Sequence, residues 1–159
     1  METVNDLDCR IFIDARRTPD EIVALVALAI GDVEEGAPAA RTIRTPWGEF
    51  EIRRNKEADT ARATDFPDGF LYFPYTVEFY PLSKTRREER ISLAAKILNC
   101  FWDRSLPAIA VCDYEDQLPK EGGYKDHTVP WPSKLPQSNG FTPKPGKARQ
   151  EAFETQELA

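Results

Sequence analysis

The chain has 159 residues, of which 41% are hydrophobic and 30% are charged, and its formal net charge is −6. These values predict one soluble globular domain with a hydrophobic core, and the negative charge opposes nonspecific binding to nucleic acid. The first residues lack the basic-then-apolar pattern of a signal peptide, and the longest apolar run, 22–30, is too short to cross a bilayer. We therefore expect a cytoplasmic protein without a membrane partner.

Three cysteines, Cys9, Cys100 and Cys112, are widely spaced, and none forms a CxxC pair. Each lies within an apolar, periodic segment, which is typical of small buried side chains. We predict buried free thiols rather than reactive or metal-bound cysteines, and we find no motif for a metal or another cofactor.

The first predicted elements are a strand and a helix. Apolar and polar residues alternate over 9–15, as they do in a half-buried strand. Thr18, Pro19 and Glu21 then match a helix N-terminus, with a capping box between Thr18 and Glu21 and proline in the first turn. Apolar residues recur at helical spacing until Gly31, which predicts the end of the helix.

A hairpin and a long strand come next. Turn residues 46–49 separate two alternating segments and predict a hairpin within 41–56, followed by a polar loop. The aromatic and β-branched residues of 69–81 predict a central strand, which Pro74 interrupts because it cannot donate to the hydrogen-bond ladder. Alternation assigns Leu71, Phe73, Tyr75, Val77 and Phe79 to the core face, and Phe70, Tyr72, Thr76, Glu78 and Tyr80 to the open face.

The last third of the chain begins with a second helix. Thr85 and Glu88 match a capping box, an apolar stripe continues to about Arg104, and a strand follows at 108–113. Six of the thirteen prolines lie after Leu118, so we predict a sandwich domain at 1–118 and an extended tail at 119–159. The tail is either disordered or lies across the open sheet face, with a short helix allowed near its end at 148–157. Its apolar anchors for such a cover are Tyr124, Trp131, Leu135 and Phe141.

The element order is β-α-β-β-β-α-β, which contains the split β-α-β pattern of ferredoxin-like sandwiches. We predict an α+β fold in which both helices cover one face of an antiparallel sheet. The opposite face is then left to water, to a partner or to the tail.

Residues suited to catalysis are scarce. The one histidine, His127, lies in the proline-rich tail, and we interpret it as a solvated loop residue. The short motifs of nucleophilic, zinc-dependent and nucleotide-binding enzymes do not occur in the sequence. The sequence therefore predicts a protein that acts by binding and is not an enzyme.

An acidic and aromatic segment follows the last predicted strand. Residues 113–126 contain five acidic residues against two lysines, and Gly122 and Gly123 make a pliable loop beside an aromatic anchor. We predict a partner-binding surface, whose residues are Asp113, Tyr114, Glu115, Asp116, Glu121 and Tyr124. The alternatives are a solvated acidic corner and a metal or acid–base site at the strand end.

The predicted open-face aromatics raise the alternative of RNA binding. Segments 11–13 and 68–73 resemble the two RNP motifs of RNA-recognition domains, in which exposed aromatic residues stack on bases. A basic patch is predicted on the hairpin at Arg41, Arg44, Arg53, Arg54 and Lys56. However, Asp68 and Leu71 depart from the motif and the chain is acidic, so we expect the tail or a protein partner to cover Phe12, Tyr72 and Tyr80.

Two stretches, DGFLYFPYTVE at 68–78 and PAIAVCDYEDQLPKEGGY at 107–124, resemble small acidic bacterial proteins that are found beside secreted polymorphic toxins. The resemblance covers residues 9–124 and implies an immunity protein, a cytoplasmic inhibitor that binds a cognate toxin effector domain and blocks its active site. It implies no catalytic residues. We expect a monomer or a weak homodimer, and the alternative function is a ferredoxin-like ligand-binding or regulatory module.

Overall fold

The computed structural model describes residues 6–34 and 41–133. Its strands and helices are β1 (Cys9–Ile13), α1 (Pro19–Ile30), β2 (Thr42–Thr45), β3 (Gly48–Arg54), β4 (Tyr75–Pro81), α2 (Arg87–Trp102) and β5 (Ala108–Cys112). Short 3-10 segments lie at Arg62–Thr64, Asp68–Tyr72, Glu115–Gln117 and Pro119–Gly123. Within the described ranges, neither helix is long and apolar enough to cross a membrane.

The strands form one sheet in the order β2-β3-β4-β1-β5, and every neighbouring pair is antiparallel. β4 and β5 therefore run in the same direction on either side of β1, and α2 connects them as a split β-α-β unit. The predicted α+β fold with an antiparallel sheet is confirmed. The ferredoxin-like arrangement is not confirmed, because the additional edge strand β2 lies between α1 and β3 and changes the strand order.

Both helices pack on the same sheet face and close the main core. α1 contributes Ile22 and Val26, α2 contributes Leu98 and Phe101, and all four are buried. The ring of Phe50 on β3 stacks on that of its β4 neighbour, with 4.4 Å between ring centroids. This packing fixes the sheet as a rigid support for the loops at its ends.

The start and end of α1 are as predicted. Thr18 Oγ1 accepts a hydrogen bond from the Glu21 amide at 3.2 Å, and the Glu21 carboxylate accepts one from the Thr18 amide at 2.8 Å. Gly31 ends the helix with a φ of 86°, a left-handed conformation that favours glycine.

The start of α2 differs from the prediction by one residue. Arg86 is the N-cap, and its amide donates to the Glu89 carboxylate at 2.9 Å. Thr85 Oγ1 instead donates to the Trp47 carbonyl at 2.7 Å and ties the hairpin turn to the helix. The predicted box between Thr85 and Glu88 is wrong because this tertiary bond takes the threonine hydroxyl.

The predicted central strand is shorter than expected. Residues 68–72 form a 3-10 turn, and β4 begins only at Tyr75, after Pro74. A Cβ atom on Gly69 would lie 2.6 Å from the carbonyl oxygens of Arg62 and Ala63, so glycine permits the backbone to fold back onto that segment. Alternation therefore fails before Tyr75, leaving Leu71 exposed and placing Phe73 on the opposite face.

A second apolar cluster covers part of the sheet face away from the helices. Its buried members are Phe12, Ala63, Phe70, Phe73, Ile109 and Val129, and Trp131 packs against them. The chain that covers this face comes from segments 59–73 and 124–131. The predicted tail begins at residue 119, but the chain still packs against the sheet beyond that residue, because Val129 and Trp131 belong to this cluster. The anchors Leu135 and Phe141 and the helix at 148–157 lie outside the described residues.

Candidate functional site

The end of β5 is held to the core by Tyr114. Its side chain is 2% exposed, and its hydroxyl donates to Asp8 Oδ2 at 2.7 Å. Burial raises the pKa of this tyrosine, and the guanidinium of Arg87 lies over its ring. Of the predicted surface residues, Tyr114 therefore lies in the core and positions its neighbours.

Glu115 also has a local structural contact. Its carboxylate accepts a hydrogen bond from the Cys112 amide at 3.0 Å and closes the turn after the strand. The residue is half-buried. This contact favours the turn conformation and leaves only part of the carboxylate open to solvent.

Three other predicted acids, Asp113, Asp116 and Glu121, are exposed, and we call them the acidic edge. Gly122 carries the chain close against β5, because its Cβ position would lie 3.1 Å from the Ala110 carbonyl oxygen. Glu121 precedes it with a φ of 53°, a left-handed conformation. The loop is therefore fixed against the edge strand, and its glycine pair serves close packing rather than pliability.

Tyr124 lies towards the opposite end of β5 from Asp113, although it follows Glu121 by only three residues. Gly123 sits beside the Ala108 carbonyl, so the loop runs from the end of β5 towards its start, a distance of roughly 13 Å along the strand. The Tyr124 ring packs edge-on against Phe70, and its hydroxyl donates to Asp68 Oδ1 at 2.6 Å. Asp68 thus joins the predicted surface at this end. Sequence reasoning missed it because the two residues are far apart in the chain.

The uncovered part of the open face carries a charged network around Glu78. This carboxylate accepts from Arg10 Nε at 3.0 Å, from Arg53 Nε at 3.1 Å and from the Tyr80 hydroxyl at 2.7 Å. The Glu78 side chain is only 8% exposed, whereas the arginines are about half exposed. The three donors compensate the loss of solvation of this acid.

Burial, together with the hydrogen bond to Glu78, raises the pKa of Tyr80 to about 12. The native state then stays protonated while unfolded tyrosine ionises near its ordinary value of about 10. We expect the contribution of Tyr80 to the free energy of unfolding to be complete below about pH 10 and to be lost as the pH rises to about 12. Urea unfolding across this window should show the loss, and Tyr80→Phe should reduce it. If the free energy of unfolding of Tyr80→Phe falls with rising pH as steeply as that of the wild type, the assignment is contradicted. Burial also raises the pKa of Tyr114, so this second tyrosine contributes a loss of stability at alkaline pH in both proteins.

The features expected for RNA binding are largely engaged within the protein. Phe12 is buried beneath Phe70, and the guanidinium of Arg62 lies over the Tyr72 ring. In the predicted basic patch, Arg44 pairs with Glu49, and Arg53 pairs with Glu51 and Glu78. Stacking platforms for bases are thus not presented by these aromatic residues.

A cleft of about 550 Å³ opens where β1 leads into α1. The exposed residues Arg16, Arg17 and Arg54 line it together with half-buried Asp14, and burial raises the pKa of that carboxyl. The Tyr75 hydroxyl donates to the Arg17 carbonyl and fixes the turn. The adjacent Arg16 and Arg17, between a strand and a capped helix, are the sequence signal from which this cleft could have been predicted.

The described residues contain no group of three or more His, Cys, Asp or Glu side chains that could hold a metal ion. His127 is exposed, as predicted, and its ring stacks on Phe66 with 4.3 Å between centroids.

Comparison with protein-family models, with curated proteins and with solved structures found no match to this chain.

Proposed function

We propose that the protein is an immunity protein that binds a cognate bacterial toxin effector domain and inhibits it. The single observation that carries the proposal is the acidic edge: Asp113, Asp116 and Glu121 are exposed on a loop packed against a rigid strand. Such a surface suits a basic partner, and a basic active-site cleft is what a toxin that acts on nucleic acid must present.

Rigidity of the acidic edge supports inhibition by a preformed surface. The buried Tyr114 and the Glu115–Cys112 hydrogen bond hold the turn before a partner arrives. Less conformational entropy is then lost on binding. The chain's formal charge of −6 adds long-range attraction and raises the rate of encounter with a cationic domain.

Co-expression tests this proposal. The toxin domain encoded beside this gene is induced in bacteria with and without the protein. We expect growth arrest without it and growth with it, and the two purified proteins should form a complex. Continued arrest despite folded protein, or an adjacent gene without any toxin domain, contradicts the proposal.

The arginine-lined cleft favours a second candidate, a ligand-binding or regulatory α+β module related to ferredoxin-like domains. Its volume of about 550 Å³ is in the range of small-molecule sites. Its three arginines share the lining with Asp14, Glu21 and Asp59, and they supply the hydrogen-bond donors for an anionic group of a ligand. A rise in Tm with an anionic metabolite, abolished by Arg17→Ala, supports this candidate; an unchanged Tm across such a panel counts against it.

A further inference from the structure

Two cysteines face each other across the junction of β1 and β5. Cys9 is the first residue of β1, Cys112 is the last residue of β5, and they are register partners. The Asp14 amide donates to the Pro107 carbonyl at 3.0 Å, which identifies the 14–107 pair as hydrogen-bonded. Because hydrogen-bonded and non-hydrogen-bonded pairs alternate, the 9–112 pair is non-hydrogen-bonded.

That position brings the two thiols within reach of a disulfide. In a non-hydrogen-bonded antiparallel pair the Cα atoms lie about 4.5 Å apart, and disulfides span Cα separations of roughly 4.4–6.8 Å. Directly opposed residues of an antiparallel pair also carry their side chains on the same face of the sheet. Little strand movement is therefore needed to bring the sulfur atoms to bonding distance.

The two sulfur atoms differ in their electrostatic surroundings. The hydrogen bond from Cys9 lowers the pKa of Cys112, and the Tyr114 amide acts in the same direction. Burial of the Cys112 thiol opposes this effect, and the nearby carboxylates of Glu115 and Asp8 oppose it to a lesser extent. The same hydrogen bond, together with burial, raises the pKa of Cys9. Cys112 is therefore the thiolate-forming member of the pair.

Access to solvent distinguishes the two cysteines in the same sense. The predicted burial holds for Cys9, which is 2% exposed, but not for Cys112, which is half-buried at the strand end. A small oxidant can reach Cys112 first, and the protected Cys9 is placed to react second. Cys100, the remaining cysteine, lies on α2, where its thiol donates to the Leu25 carbonyl and it has a different set of neighbours.

We propose that Cys9 and Cys112 form a reversible thiol–disulfide pair, which is oxidised to the disulfide when a hydroperoxide reaches the end of β5. The Cys112 thiolate attacks a peroxide oxygen, giving a sulfenic acid while the O–O bond breaks and hydroxide leaves. Cys9 then attacks the sulfenic sulfur, its proton leaves with the hydroxyl group as water, and the S–S bond forms. Both thiols are oxidised, and one peroxide is reduced by two electrons.

Oxidation of the folded wild-type chain with hydrogen peroxide tests this site. We expect the count of free thiols to fall from three to one, and non-reducing peptide mapping to show a link between Cys9 and Cys112. Dithiothreitol should restore all three thiols. Because the mapping uses the wild-type chain, it does not depend on the folding of a variant.

Two single variants provide the matched comparison. Cys112→Ser should abolish the linked peptide, and Cys100→Ser should leave it at the wild-type yield. Circular dichroism before oxidation verifies the fold of each. A wild-type product with sulfinic acid at Cys112 and an intact Cys9 thiol overturns the proposal, as does a link through Cys100. This readout needs no partner, so its failure is separable from failure of the immunity function.

Discussion

Reversing the charges of the acidic edge is expected to slow association with the toxin domain about 10- to 100-fold at low salt, because steering acts through exposed charges near the contact. The variant is Asp113→Lys, Asp116→Lys and Glu121→Lys together. Glu115 is left intact, since its carboxylate accepts from the Cys112 amide and its loss would disturb the turn. Stopped-flow association at several salt concentrations measures the effect, which should shrink as salt increases.

The matched control reverses the same number of acids elsewhere: Asp32→Lys, Glu34→Lys and Glu57→Lys, all exposed in the native structure. It changes the net charge equally, so it separates a local surface from overall charge. We expect a smaller decrease in association rate in this control. Equal decreases in both triple variants are incompatible with a binding role for the acidic edge.

Replacing Trp131 by alanine is expected to lower the free energy of unfolding by about 2–3 kcal/mol, below the range for fully buried tryptophan because the residue is half-buried. Its ring packs on Phe73 and Phe66, and its Nε1 donates to the Thr64 carbonyl at 2.9 Å. The substitution removes these contacts and opens the second apolar cluster. Urea unfolding monitored by circular dichroism measures the change.

Leu28→Ala is the control for this substitution. Leu28 is 62% exposed on α1, so its truncation should change the free energy of unfolding by less than about 0.5 kcal/mol. If Trp131→Ala has an effect as small as Leu28→Ala, then the chain after residue 124 does not form part of the folded unit.

Local patterns were enough to predict much of the fold. The capping residues of α1, the glycine at its end and the alternation of β1 and β5 depend on neighbours a few residues apart. The same local reasoning misplaced the start of β4. Aromatic residues at 69–73 have strand propensity, but they pack in a 3-10 turn because Gly69 and Pro74 redirect the backbone.

The candidate site was less accessible to prediction because its contacts join distant parts of the chain. Composition drew attention to residues 113–124, yet it could not separate Tyr114, whose hydroxyl binds Asp8, from exposed Asp113 and Asp116. The pairing of Cys9 with Cys112 on neighbouring strands depends on strand register, which the spacing of the two residues in the sequence does not specify.

Hydrogen–deuterium exchange of the protein, free and bound to the toxin domain, tests the binding surface most directly. In the free protein, Gly122 and Gly123 are buried, whereas the amides of Asp113 and Asp116 belong to exposed residues and should exchange more rapidly. We predict that binding slows their exchange while the α1 amides stay unchanged. Unchanged exchange across 113–124, with protection at 14–18 in the arginine-lined cleft, contradicts the account.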